Sequence, residues 1–169
     1  MADTNQDAIA LLKADHREVE DLFAKFEKAS GEGRKQHLAR EICRQLTVHA
    51  TIEEEIFYPA CEGKVEEELL KEAYVEHDAA KLLIAEIEAG KPSDEYYEAK
   101  VKVLKEEIEH HVEEEEKRLE GLFSQARKAG LDMDSLGELL AARKADLLKQ
   151  TESGDLPPPE LTTMERAES

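Results

Sequence analysis

A histidine and a glutamate recur four residues apart at two places in this chain, His49-Ala50-Thr51-Ile52-Glu53 and His111-Val112-Glu113-Glu114-Glu115. On a helix that spacing stacks both side chains on one face. Both times it is the apolar face: Leu38, Ile42, Leu46, His49, Glu53 and Ile56 follow one another by threes and fours, as do Val101, Leu104, Ile108, His111, Glu115 and Leu119. An isolated carboxylate gives up several kcal/mol of hydration on leaving water, so a buried glutamate requires a partner. Any fold this chain adopts must supply one twice.

The remaining histidines narrow what that partner is. His16 completes the stripe of Ile9, Leu12, Val19, Phe23 and Phe26, and His77 lies within Leu70, Ala73, Ala80, Ile84 and Ile87, whereas His37 and His110 fall off the stripes. Depth agrees. His16 lies about 15 residues before a turn near Ser30-Gly33 and His49 about 17 after it. His49 lies about 13 before a turn near Cys61-Lys64 and His77 about 14 after it. Across Gly90-Ser93 the match of His77 with His111 is poorer by about one helical turn, which a longer fourth helix or a tilt would absorb. His16, His49, Glu53, His77, His111 and Glu115 are therefore expected at one level of a bundle core. Four imidazoles and two carboxylates in an apolar interior are a metal site by donor type, with donors enough for two ions. His110 and Glu114 repeat the spacing on the wrong face, and the neighbours Glu54, Glu55, Glu113, Glu114 and Glu116 are expected toward solvent.

Composition supports helices and limits partners. With 169 residues the chain is the size of one domain. Its 38% charged and 5% aromatic content, without Trp, suits long solvated helices, and no strand alternation or phosphate-binding glycine loop occurs. A net charge of −18, from 23 basic and 41 acidic residues, argues against nucleic acid and anionic membrane as partners. Met1-Ala2-Asp3-Thr4-Asn5 lacks the order of a signal peptide and no apolar run reaches spanning length, which predicts a cytoplasmic protein. Cys43 and Cys61 have neither zinc nor disulfide spacing. Cys43 is expected to pack beside the stripe and Cys61, near a turn, to be the more exposed.

Helix 1 is predicted over about 5–28 with Thr4 as its cap, and helix 2 over about 34–58, stopped or kinked by Pro59. Helix 3 is predicted over about 65–89, with Gly90 at the C′ position and Glu66-Glu68 at the positive end of its dipole. Helix 4 runs from Ser93 or Asp94 to about Lys128. Short connections make this an all-α, up-down-up-down four-helix bundle over residues 1–130. A short fifth helix within 131–150 starts near Ser135, whose Ser-x-x-Glu pattern to Glu138 reads as a capping box. Its Leu136, Leu140 and Leu147 are expected to cover the bundle. Residues 151–169, with Pro157-Pro158-Pro159, read as a disordered acidic tail, and the chain as a monomer or weak homodimer.

These residues resemble the hemerythrin-like, or HHE cation-binding, family: Asp15-His16-Arg17-Glu18, His49-x-x-x-Glu53 running into Glu54-Glu55-Ile56-Phe57-Tyr58-Pro59, Glu76-His77-Asp78, and His110-His111-Val112-x-Glu114-Glu115-Glu116. The resemblance covers about residues 5 to 128. It implies two non-haem irons held by His16, His49, Glu53, His77, His111 and Glu115, and O2, NO or hydrogen peroxide as the small ligand. Oxygen-carrying hemerythrins have two histidines one turn apart on the third helix, where this chain has Ala73 and Lys81 on either side of His77. Donors without thiolate suit iron, with manganese, zinc or cobalt as substitutes. If Glu53 and Glu115 bridge, about two of roughly twelve coordination positions stay open. That fits either a binding or sensing module or an oxidoreductase that decomposes peroxide. Ferritin-like iron oxidation is disfavoured, since Glu-x-x-His occurs once, from Glu107 to His110.

Overall fold

The computed structural model describes residues 7–154 and 160–165. Among these the regular elements are α1 (Ala8–Lys28), α2 (Glu32–Ile52), a π-helical turn (Glu53–Phe57) continued by α3 (Tyr58–Cys61), α4 (Glu67–Ala89), α5 (Tyr97–Glu116), α6 (Leu122–Lys128) and α7 (Met133–Ser153). The helix α1 packs on α2 and α5, and α4 on the same two, which closes the four-helix bundle. The expected stripes are the buried faces: Ile9, Leu12, His16, Val19, Phe23 and Phe26 on α1, and Leu70, Ala73, His77, Ala80, Ile84 and Ile87 on α4.

Several boundaries differ from expectation, each for a local reason. Thr4 and Asn5 lie outside the described residues; the cap of α1 is Asp7, whose carboxylate accepts from the Ala10 N–H at 2.8 Å. Pro59 does not simply stop helix 2. The chain opens into a wide turn first, with the Tyr58 N–H bonded to the Glu53 carbonyl, and Pro59 then enters the next turn, where its missing N–H costs little. Gly90 closes α4 with φ −101, so it is not a left-handed cap. The connection after Gly90 is longer than expected and α5 begins only at Tyr97. His77 and His111 are then nearly equidistant from their helix ends, and the apparent offset of one turn disappears.

The fourth helix also ends early. It breaks after Glu116, and Gly121 turns the chain into α6. Leu119, expected on the stripe, is 68% exposed as a result. Cys61 is fully buried, contrary to expectation, as is Cys43. The fifth helix is not short and is capped by Asp132, which accepts from the Ser135 N–H at 3.1 Å and the Ser135 hydroxyl at 2.8 Å, so Ser135 is not the cap. Through Leu140 and Leu147 it packs on α1, α2 and the π turn of its own bundle. The boundary expected at 151 falls inside α7, and Pro157-Pro158-Pro159 lie outside the described residues. Of the tail expected to be disordered, the described residues 160–165 lie against α4, with the Thr162 and Met164 N–H groups both 2.9 Å from the Asp78 carboxylate.

Two apolar cores result. One gathers Leu12, Ile52, Phe57, Leu70, Leu122 and Leu140; the other gathers Val19, Phe23, Ile42, Leu46, Ile84 and Leu104. Between them lies one buried polar layer, made of the six side chains singled out from the sequence. No helix among the described residues is long and apolar enough to cross a membrane.

Candidate metal centre

The six side chains meet as two overlapping sets. His16, His49, Glu53 and Glu115 form one and Glu53, His77, His111 and Glu115 the other, with the donor atoms of each set within 4.8 Å of one another. Both glutamates therefore belong to both sets. The imidazoles pair accordingly, His16 with His49 at 4.9 Å between ring centres and His77 with His111 at 4.7 Å.

Each histidine is held from behind by a carboxylate on a neighbouring helix. Asp15 on α1 accepts from His49 Nδ1 at 2.9 Å, Glu54 in the π turn from His77 Nδ1 at 2.7 Å, Glu76 on α4 from His111 Nδ1 at 2.6 Å, and Glu116 on α5 from His16 Nδ1 at 2.6 Å. The four links form a ring around the bundle. They commit every Nδ1 proton outward and turn every Nε2 lone pair inward, the tautomer a metal ligand needs. Each carboxylate is in turn met by a further side chain: Lys144 on Asp15, Lys81 on Glu54, the His110 ring on Glu76 and Arg17 on Glu116.

The inward side is short of positive charge. His77 Nε2 and His111 Nε2 stand 3.2 Å apart, and with both Nδ1 protons facing outward two lone pairs oppose each other unless a proton or cation lies between them. Of the six buried side-chain polar atoms without a hydrogen bond among the described residues, four are here: His16 Nε2, His49 Nε2, Glu53 Oε2 and Glu115 Oε1. Buried orphans are rare in folded proteins, so their concentration at the shared carboxylates suits the binding of a cation. Protons compete for the same atoms. Burial disfavours a charged His49, but Glu53 and Asp15 outweigh it and hold His49 up at about 10. His111 is likewise held well above its ordinary value, against burial, by Glu115, Glu53 and Glu76. Glu53 is held low, again against burial, by His49, His111 and His77.

Tyr58 completes the layer. Fully buried, its hydroxyl donates to Glu115 and, at 3.0 Å, to Glu53, and lies 3.2 Å from both His77 Nε2 and His111 Nε2. Helical periodicity alone would not bring it to the site, because residues five apart lie about 140° apart on an α-helix. The i→i+5 turn starting at Glu53 brings Tyr58 round to the same side. Asp15, Glu54, Glu76 and Glu116 were also missed as functional groups. A signal was present: each stands next in sequence to one of the six ligand candidates. Beside the layer, a cavity of about 30 Å³ is lined by Val19, Leu46, Ala80, Ile84, Ile108 and Val112 together with the four imidazoles. That is room for about one small molecule.

A family model described as hemerythrin HHE cation binding domain matches residues 7–123. A DNA nickase from Nostoc sp. is 30% identical over 109 residues, which is 64% of this chain and 31% of that protein, so the chain spans under a third of its relative's length. The crystal structure of a hemerythrin HHE cation binding domain-containing protein from Mycobacterium kansasii has the same fold, with a TM-score of 0.73 at 23% identity over 89% of this chain and 94% of that one.

Proposed function

This chain belongs to the hemerythrin HHE cation-binding family, and from that premise we propose that it is a non-haem di-iron protein whose centre takes a small ligand, O2, NO or an oxidant. The observation that carries the reading is the pair of four-residue donor sets sharing Glu53 and Glu115, with all four Nε2 atoms turned inward. His16 and His49 would hold one ion, His77 and His111 the other, and the two glutamates both. Iron supplies one-electron redox capacity and coordination positions open to a ligand. The protein supplies the dry walls, the small cavity and the ring of carboxylates that fixes the imidazoles. From the nickase we carry over the domain alone, since a net charge of −18 opposes approach to a polyanion.

Tyr58 favours a second reading, decomposition of hydrogen peroxide. Splitting two peroxides into two waters and O2 needs protons moved within the site, and the Tyr58 hydroxyl stands between both carboxylates and two imidazoles. Metal analysis and an optical spectrum of aerobically purified protein test the main reading: two irons per chain with near-ultraviolet oxo-bridge absorption, the absorption lost together with at least one iron in Glu53→Ala and His111→Ala, and both kept in His37→Ala. An iron content below one per chain in the unsubstituted protein would refute it. Added peroxide then separates the readings. Release of O2 at a rate proportional to protein marks an enzyme, and a stoichiometric spectral change marks a binding or sensing module.

A further inference from the structure

Two of the four carboxylates in the ring are gripped by chain that lies beyond the family match. Asp15, behind His49, receives Lys144 of α7 at 2.5 Å, and both the aspartate and the histidine are buried. Glu54, behind His77, receives the Thr162 hydroxyl at 2.7 Å, together with Lys81 at 3.0 Å. Lys81 is itself capped by the Glu160 carbonyl at 2.7 Å. The segment carrying Thr162 is moored at Asp78, fully buried beside His77, by the N–H groups of Thr162, Thr163 and Met164 and the Thr163 hydroxyl at 2.5–2.9 Å. The other two carboxylates are met by side chains of the bundle surface, Arg17 at 55% and His110 at 65% side-chain exposure. Each half of the centre thus has one histidine backed from the open surface and one backed by the C-terminal extension.

We propose that the C-terminal extension is a two-armed positioning device for the metal centre: Lys144 fixes His49 in one half, and the Thr162 strap fixes His77 in the other. The inference rests on the di-iron reading for its metal consequence. The physical basis is that a carboxylate orienting a histidine ligand sets both its tautomer and its aim, and losing such a partner costs about 10- to 100-fold in metal affinity. A cation on a buried carboxylate also keeps that carboxylate ionised and in place. Because the arms reach different histidines, they act on different ions. Lys144 and Thr162 are positioning residues, as neither reaches the donor layer itself.

The test uses full-length protein in four forms: Thr162→Val combined with Thr163→Pro, Lys144→Met, Lys144→Arg, and the first two sets of changes together. Each is loaded with Fe2+ under anaerobic conditions and challenged with excess chelator. The strap variant is expected to release one ion about 10- to 100-fold faster and the other at the original rate. Lys144→Met gives the same pattern, Lys144→Arg restores the slow phase, and the triple variant has no slow ion. Helix content by circular dichroism confirms that the variants fold. A general loosening would speed both ions together in every variant, and that result, or a triple variant still holding one ion tightly, overturns the proposal. A metal-independent measurement separates its failure from that of the di-iron reading. In the metal-free protein the downfield Nδ1 proton resonance of His77 is expected to change only in the strap variant, and that of His49 only in Lys144→Met. Unchanged resonances in both would sink the positioning role whatever the metal.

Discussion

At the scale of single residues, Tyr58 poses the sharpest question, because its one proton stands among Glu53, Glu115, His77 and His111. Burial, Glu115 and Glu53 all hold the phenol well above its ordinary value. A bound cation reverses that balance, since positive charge favours the phenolate. We expect the ferric protein to show a visible phenolate-to-iron band that Tyr58→Phe abolishes while both irons remain. An unchanged spectrum would confine Tyr58 to holding a proton. The six ligand candidates were legible in the sequence because they interrupt apolar stripes, where a charged residue demands an explanation. Asp15, Glu54, Glu76 and Glu116 were not, because each sits one residue off its stripe and reaches the histidine of a neighbouring helix, a contact that periodicity along one helix cannot register. His110, set aside as off the stripe, proves to stand 3.3 Å from Glu76 and so belongs to the outermost layer of the same network.

At the scale of elements, the end of α5 is the point of least freedom. A Cβ on Gly121 would lie 2.5 Å from the Lys117 carbonyl, 2.6 Å from the Lys117 nitrogen and 2.8 Å from the Glu115 carbonyl, all backbone atoms that shift only at a cost. Gly121→Ala should therefore cost about 1–3 kcal/mol, as overpacking does. Because Glu115 is one of the neighbours that must move, iron retention should fall with it. Gly33→Ala, where a Cβ meets nothing within 4 Å, should change stability by no more than about 0.5 kcal/mol. Denaturant midpoints with metal analysis of both variants check this, and equal midpoints would refute it. The sequence concealed the break because Leu119 keeps the apolar rhythm beyond Glu116, so the helix looked continuous. The bundle itself was legible, since rhythm and short connections determine helix number and order. The wide turn at Glu53 depends on how Pro59 is accommodated and leaves no mark in hydrophobic spacing.

At the scale of the whole molecule, a charged layer divides two apolar cores, so the protein's stability follows whatever neutralises that layer. Without metal the neutralisers are protons. His49, raised to about 10 in the folded chain against an ordinary 6.5, contributes stability that is fully present below about pH 6.5 and declines as pH rises toward 10. His16 and His111 are raised as well and act in the same direction. Glu53 and Glu115 are lowered, so their contribution is present above their ordinary carboxylate range and is lost only in acid. Metal has the opposite dependence, because it binds neutral imidazole and must displace those protons. The loaded form should therefore gain on the metal-free form as pH rises, and loading at neutral pH should release protons. Thermal unfolding of iron-loaded and chelator-stripped protein at pH 6, 7.5 and 9 measures the gap, which should widen at each step. Metal should be lost on acidification toward about pH 5. A gap that narrows with rising pH would mean that the buried imidazoles are not where the cation binds, since no other group in the layer is held in its protonated, cationic form by the same carboxylates the metal would need.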